Sequence, residues 1–214
     1  MPEKKSNRGY PKSSHFAVWG KKAPNILLGV SGGVAAYKAV DLASRLTAAG
    51  AMVNTVMTEN ACQLICPKSF EAVTAAPVFT SLWSVPEGHS SSHISLADWA
   101  NVVVVAPASA DIIGKVANGI CDDLLSTTLC TCWATRTLFA PAMNTRMWEN
   151  PAVRRNVTML RERGIQMIGP AAGRLACGTE GLGRMAEPGE ILAAIDAVGA
   201  DLIRGRAEKN NQGG

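Results

Sequence analysis

A set of residues able to bind a ligand follows an apolar run in the segment LFAPAMNTRMWENP, residues 138–151. Asn144 offers an amide, and Met143, Met147 and Trp148 place large apolar side chains close to it in the chain. The amide could simply cap the helix that follows. It could also donate to a substrate carboxylate, in a charge-assisted hydrogen bond worth about 1.5–3 kcal/mol. In the second case the three apolar side chains would wall a pocket around it.

Two adjacent glycines, Gly32 and Gly33, stand in the segment GVSGGVAAYK between an apolar run and a helical pattern. Glycines allow the tight turn that points several amide N–H groups at one site, and the start of a helix adds a favourable dipole. Such a nest binds phosphate. The spacing is neither GxGxxG nor GxxxxGK[ST]. A turn that serves packing alone is the alternative.

The segment VVVVAPASAD, residues 102–111, places polar groups at the end of a strand-like run. Ser109 could cap the following helix or bind a ligand, and Asp111 lies two residues further on. The alanines at positions 106, 108 and 110 leave room for a flat molecule.

A histidine and a cysteine are the remaining candidates for proton transfer. His93 begins the apolar helical segment HISLADWA, and an imidazole can take a proton near neutral pH. A lone loop histidine is, however, more often solvated than catalytic. Cys177 stands in the glycine-rich segment GRLACGTEGLGRM. The other five cysteines lie in apolar, helix-like surroundings typical of buried free thiols, and none has the spacing of a zinc site.

Composition limits the class of protein. The chain has 214 residues, and no apolar run approaches the roughly 18 residues that a membrane span requires. Its net charge of +4 comes from residues 1–22, where six basic residues face one acidic residue, so the rest of the chain carries −1. We therefore expect no nucleic-acid partner, no membrane partner and a cytoplasmic location.

The candidate residues fall at the ends of alternating strand and helix patterns. Strands are predicted in NILLGV, AMVNTVMT, NVVVVAPAS, TRTLFAPA and IQMIGP, with helical patterns between them and a break near Gly119. This order predicts an α/β protein with a parallel sheet and helices on both faces, in three layers. Ligands bind such sheets beyond the carboxyl ends of the strands. The expected organisation is a basic flexible tail (1–23), one domain (24–200) and a polar C-terminal tail (201–214).

Taken together, GVSGGVAAYK, HISLADWAN, APASAD, PAMNTRMW and ACGTEGLGRM resemble, in the same order, the homo-oligomeric flavin-containing cysteine decarboxylases. The resemblance covers about residues 24–199 and is greatest to the phosphopantothenoylcysteine decarboxylases of coenzyme A biosynthesis. It implies a Rossmann-like, flavodoxin-like fold and a homotrimer, with FMN between neighbouring subunits. Whether trimers assemble further into a homododecamer stays open. No metal site is expected.

The resemblance also implies roles for individual residues. The expected FMN-binding residues are Gly32, Gly33, Val34, Thr58, Asn60, Ser109, Ala110, Asp111 and Ala142. Asp111 is the less secure member, because the family's usual segment has asparagine there. The expected catalytic residues are His93, Asn144 and Cys177, and Asn144 would bind the substrate carboxylate beside Met143, Met147, Trp148 and Ala176.

The reaction implied is the conversion of 4′-phosphopantothenoylcysteine to 4′-phosphopantetheine and CO₂. Oxidation of the thiol to a thioaldehyde would allow CO₂ to leave, and the resulting ene-thiol would then be reduced, with Cys177 donating a proton. One alternative is a peptidyl C-terminal cysteine decarboxylase that stops at the ene-thiol. Another is a non-catalytic flavoprotein that regulates a partner. Bacterial enzymes of this type often continue into a ligase domain, so either a stand-alone enzyme or a shortened chain is expected.

Overall fold

Within the described residues, a six-stranded parallel sheet forms the centre of the molecule. The computed structural model describes residues 24–84, 93–174, 178 and 180–212. The sheet has the order β3-β2-β1-β4-β5-β6, and all five strand pairings are parallel. Its strands are β1 (Asn25–Val30), β2 (Met52–Met57), β3 (Val78–Phe79), β4 (Val102–Ala108), β5 (Arg136–Pro141) and β6 (Gln166–Met167). The predicted α/β architecture is confirmed.

Helices link these strands and cover both faces of the sheet. They are α1 (Ala36–Ala48), α2 (Glu59–Cys62), α3 (Pro67–Thr74), α4 (His93–Trp99), α5 (Ala110–Asn118), α6 (Leu124–Thr131), α7 (Thr145–Trp148), α8 (Pro151–Glu162) and α9 (Pro188–Gln212). No helix of the described ranges is both long and apolar enough to cross a bilayer.

Alternating side chains of the central strands divide the core between the two faces. In β4, Val102 and Val104 join a first core cluster with residues of α1, α3 and α9, such as Leu42. Val103 joins a second core cluster with residues of α4, α5, α6 and α8, such as Leu125. Because both faces of the strand are buried, an apolar run without alternation forms it. The result is the three-layer arrangement expected from the sequence.

The junction between α5 and α6 confirms the break predicted near Gly119. Gly119 adopts a left-handed conformation (φ 70°) after α5, which suits a residue without a side chain. Asp123 caps α6 by accepting a hydrogen bond from the Ser126 amide. The Lys115 ammonium lies 2.9 Å from Asp122 and 3.0 Å from Asp123. Burial alone would lower the pKa of Lys115, but hydrogen bonds to these carboxylates outweigh it and raise that pKa above its ordinary value.

Three features were not predicted from the sequence. An antiparallel hairpin of β7 (Ala171–Arg174) and β8 (Glu180–Arg184) borders the glycine-rich segment that contains Cys177. The short strand β3 was not predicted, nor was the length of α9, which extends to Gln212 through most of the segment expected as a polar C-terminal tail. Residues 1–23, expected to form a tail, lie outside the described residues.

The expectation that five cysteines are buried is wrong for most of them. Cys132 is buried at 2% exposure, whereas Cys66, Cys121 and Cys130 are exposed and Cys62 is half-buried. The exposed thiols lie at helix ends and on outward-facing helix positions, where an apolar sequence neighbourhood does not determine burial.

Candidate functional site

A cavity of about 620 Å³ opens at the carboxyl edge of the sheet, where α/β proteins bind ligands. The ends of β1, β4 and β5 meet there, and the β7–β8 hairpin forms the opposite wall. Of the predicted site residues, those lining the cavity are Gly32, Gly33, Val34, Ser109, Ala110, Ala142, Met143, Asn144 and Met147. The structure thus brings most of the predicted residues together.

The turn between β1 and α1 presents unused amide groups to this cavity. Within the described residues, no acceptor is present for the amides of Gly33, Val34 and Ala35. The start of α1 also has no side-chain cap and no acidic residue in its first turn. Donors at a helix start that lack partners are the groups that bind an oxyanion.

Gly32 allows two loops of the cavity edge to touch. A Cβ atom at Gly32 would lie 2.5 Å from the Asn60 Cβ and 3.2 Å from its carbonyl carbon, too close for any residue but glycine. Asn60 follows Thr58, whose hydroxyl accepts a hydrogen bond from the Ala61 amide at the start of α2. Thr58 and Asn60 therefore belong to the loop that packs against the Gly32 turn, and they do not line the cavity of this chain.

Ser31, which the sequence analysis missed, fixes the turn from the other side. Ser31 is 1% exposed, and its hydroxyl donates to the Pro107 carbonyl at 2.7 Å and accepts from the Ser109 amide at 2.9 Å. These bonds hold the end of β1 against the end of β4. Ser109 in turn caps α5 by accepting from the Ile112 amide at 3.3 Å. The sequence signal was a serine directly before the glycine pair.

Asn144 caps a helix, as one of the two interpretations of its sequence context predicted, and it also lies at the cavity. Its side-chain oxygen accepts from the Arg146 amide at 2.9 Å and so caps α7, while the residue also lines the cavity. The cap uses the side-chain oxygen of Asn144 as acceptor, whereas the hydrogen-bond donors of this amide are on its NH₂ group. Met143 is held by a hydrogen bond from its own amide to the Gly183 carbonyl of β8 at 2.9 Å. A side chain at Gly183 would collide with the Met143 carbonyl oxygen.

Two other predicted residues lie away from this cavity. Trp148 packs against the second core cluster. Asp111 is exposed and faces the Lys115 ammonium at 3.4 Å. Ala176 and Cys177 lie outside the described residues.

His93 lies on the other face of the sheet from the first turn of α1. Its helix, α4, contributes Leu96 to the second core cluster, whereas α1 packs into the first. The Trp99 carbonyl accepts from the Asn25 amide group at 2.9 Å, which holds the end of α4 at the amino edge of the sheet. Since a helix rises about 1.5 Å per residue, His93 reaches only about 9 Å back towards the carboxyl edge. Strand β1 spans about 20 Å. The histidine therefore does not line the cavity of its own chain.

Three basic residues that the sequence analysis did not single out also line the cavity. They are Lys38 in the first turn of α1, Arg174 at the end of β7 and Arg184 at the end of β8. Lys38 and Arg184 share one oxygen of Glu187, at 2.7 and 2.9 Å. The hydrogen bond from Lys38 lowers the pKa of the Glu187 carboxyl. The signal was present, since all three cations stand at the borders of the motifs quoted above.

Comparison with known proteins points to one family. The family model described as Flavoprotein matches residues 19–199. The coenzyme A biosynthesis bifunctional protein CoaBC of Bacillus subtilis is 48% identical over 168 residues, which cover 78% of this chain and 41% of that protein. This chain therefore spans less than half the length of that relative.

Solved structures of similar size have the same fold. One is a PPC decarboxylase with a Cys→Ser substitution, complexed with pantothenoylaminoethenethiol. It is 36% identical, with a TM-score of 0.74, over 83% of this chain and 98% of that one. Another is the FMN-dependent cysteine decarboxylase SpaF, 34% identical with a TM-score of 0.66, over 81% of this chain and 97% of that one. The fold is shared, the glycine turn and the helix-capping Asn144 meet at one edge of the sheet, and the family model covers most of the chain, so this chain belongs to the Flavoprotein family.

Proposed function

We propose that this chain is an FMN-dependent decarboxylase that converts 4′-phosphopantothenoylcysteine to 4′-phosphopantetheine and CO₂. The observation that carries the proposal is the cavity that joins unused amides at the start of α1 to Asn144 and Met143. Support comes from relatives whose names give this pathway and this chemistry: the bifunctional CoaBC protein and the PPC decarboxylase.

The cavity has the features that FMN needs. The amides of Gly33, Val34 and Ala35 offer donors to a phosphate, and Gly33 presents backbone without a side chain to the cavity. Ala110 and Ala142 add small apolar surfaces on which a flat ring system could lie. When bound, FMN would supply the acceptor for two electrons from the substrate thiol, so that charge left by departing CO₂ is delocalised onto sulfur.

Residues of this chain would orient the substrate and move its protons. Asn144 would donate through its amide to the carboxylate and so orient the bond that breaks, with Met143 and Met147 excluding water around it. The imidazole of His93 would accept the proton of the substrate thiol, a role that typically contributes about 10²–10⁴ in rate. We assign to the Cys177 thiol the protonation of the product carbon.

A second copy of the chain would have to supply His93. The histidine lies on the opposite face of the sheet from α1, so a complete site needs α4 of a neighbouring subunit. Exposed apolar side chains are available for such a contact, because Ile94 of α4 is 52% exposed and Trp83 and Trp133 are 91% and 85% exposed. The proposed assembly is a homotrimer with shared sites.

Product analysis tests the reaction. The purified FMN-bound protein is incubated with 4′-phosphopantothenoylcysteine and, separately, with a peptide ending in cysteine, and the products are identified by mass spectrometry. The proposal predicts loss of CO₂ alone from the first substrate. Loss of CO₂ and two hydrogens from the peptide would instead identify a peptidyl-cysteine decarboxylase. No turnover of either substrate would identify a binding protein.

A subunit-mixing experiment tests the shared site. The variants His93→Gln and Asn144→Ala should each bind FMN and lack turnover. Co-assembled in equal amounts they should regain activity, since random assembly of a symmetric ring places both native residues in roughly a quarter of the sites. If the mixture stays inactive while each variant forms oligomers of native size, His93 and Asn144 do not act across an interface.

A further inference from the structure

We infer that Arg174 and Arg184, on the β7–β8 hairpin, bind the terminal phosphate of the substrate and so select a phosphorylated small molecule over a peptide. This inference rests on the proposed function and adds the group that recognises the distal end of the substrate. It concerns an anion site separate from the amide nest at the start of α1. Both arginines line the cavity wall formed by the hairpin.

Arg174 does not form the ion pair that its position in the hairpin would suggest. In the hairpin register it pairs directly with Glu180, an arrangement that commonly gives a cross-strand ion pair. Nevertheless, among the described residues no hydrogen bond or ion pair engages its guanidinium, and the residue is exposed at the cavity wall. Its five donors are therefore available to a ligand.

Arg184 is held in place by its neighbours. One guanidinium nitrogen bonds the Glu187 carboxylate at 2.9 Å. The other lies 2.7 Å from the position that a Cβ of Gly173 would occupy. The side chain can thus lie across β7 only because residue 173 is glycine. This support pre-organises the planar group, which suits bidentate binding of a phosphate.

The charges around the cavity favour an anion. Lys38, Arg174 and Arg184 line the cavity and contribute three positive charges. Glu187, which holds Lys38 and Arg184, and Glu180, which lies opposite Arg174 in the hairpin, contribute two negative charges. The remainder is +1, which suits a phosphate monoester that carries about −1.5 to −2 at pH 7. The FMN phosphate already has the amide nest.

The test compares two substrates that differ only in this phosphate. Steady-state rates are measured for 4′-phosphopantothenoylcysteine and for pantothenoylcysteine with the wild type, Arg174→Gln, Arg184→Gln and Arg184→Lys. We expect each glutamine variant to lower kcat/KM for the phosphorylated substrate by about 10- to 100-fold, equivalent to about 1.4–2.8 kcal/mol. The change for the other substrate should stay within about threefold, since a charged hydrogen bond is lost only with the phosphate.

Arg161→Gln is the control for the loss of a distant arginine, and the conservative variant Arg184→Lys separates the effect of charge from that of folding. Arg161→Gln, on the exposed face of α8, should change neither rate. Arg184→Lys retains a cation for Glu187 and should keep the fold while losing much of the phosphate preference. Arg174→Gln keeps the test valid if Arg184 variants fail to fold, because no described fold contact depends on it.

Three outcomes with the arginine variants overturn the inference. Equal losses for both substrates would assign the arginines to the carboxylate. Weaker FMN binding, measured by quenching of flavin fluorescence, would assign them to the FMN phosphate. Unchanged rates would show that the two arginines bind neither the phosphate nor the carboxylate. A wild type that turns over neither substrate would instead refute the proposed decarboxylase itself, while a wild type without preference for the phosphorylated substrate would refute only this inference.

Discussion

Replacing Ser31 by alanine should lower the stability of the fold by more than the loss of one small hydroxyl group suggests. The hydroxyl is fully buried and makes two hydrogen bonds, to the Pro107 carbonyl and from the Ser109 amide. After the substitution the Pro107 carbonyl keeps the Ser31 amide at 3.3 Å, but the Ser109 amide loses its acceptor. A buried donor without a partner costs about 1–3 kcal/mol, and the second lost bond adds about 1 kcal/mol. The expected loss of stability is therefore about 2–4 kcal/mol.

Thr55→Val is the matched control. Thr55 lies in the neighbouring strand β2, is 1% exposed, and its hydroxyl has no hydrogen-bond partner among the described residues. Its replacement by valine removes a buried polar group that makes no bond and preserves the volume of the side chain. We expect an effect between none and a gain of about 1 kcal/mol.

Urea unfolding of the FMN-free protein, followed by circular dichroism at one protein concentration, measures both variants. With a slope of about 2 kcal/mol per molar urea, the Ser31→Ala midpoint should fall by about 1–2 M. Binding of FMN should also weaken, because the amide nest is no longer held against β4. A Ser31→Ala loss below about 0.5 kcal/mol, or an equal loss in Thr55→Val, would refute the reasoning that bonded and unbonded buried hydroxyls differ.

Three further outcomes follow from the local geometry. Gly32→Ala should weaken FMN binding at least tenfold in a fluorescence titration, because the new methyl group must displace the Asn60 loop, whereas Gly189→Ala, with open space around it, should leave binding unchanged. The folded-state pKa of Glu187 lies below its ordinary value of 4.5, so its carboxylate stabilises the fold above that pH and loses this contribution as the pH falls. The Glu187→Gln variant should therefore lose less stability on acidification than the wild type. An unchanged slope of stability against pH would contradict the assignment. Burial raises the pKa of Cys132 to about 11, so alkylation at pH 8, read by mass spectrometry, should label it last among the described cysteines.

The sheet could be predicted because the apolar pattern of its strands and their burial between two layers of helices indicate the same structure. Val102 to Val105 form a run that is apolar on both sides, and such a run is stable only between two layers of helices. Gly32, Ser109 and Asn144 then fall at strand ends, and parallel strands bring their carboxyl ends to one edge. Strand order and motif position thus determined most of the candidate site.

Other features depend on contacts that no local pattern encodes. The hairpin that carries Arg174 and Arg184 is rich in glycine, which in isolation favours a loop, and pairing between its two strands overrides that preference. The face on which His93 lies depends on how α4 packs, and Trp148 is held by the second core cluster. The roles of Cys177 and Ala176, the trimer and the cytoplasmic location stay predictions.

Counting turnovers per bound FMN without oxygen tests the central claim most directly. If the cycle returns its two electrons to the ene-thiol, the protein should convert an excess of 4′-phosphopantothenoylcysteine to 4′-phosphopantetheine with no added oxidant, many equivalents for each FMN. Product that stops at one equivalent of ene-thiol per FMN would contradict the redox-neutral cycle. A protein that cannot be loaded with FMN at all would contradict the entire account.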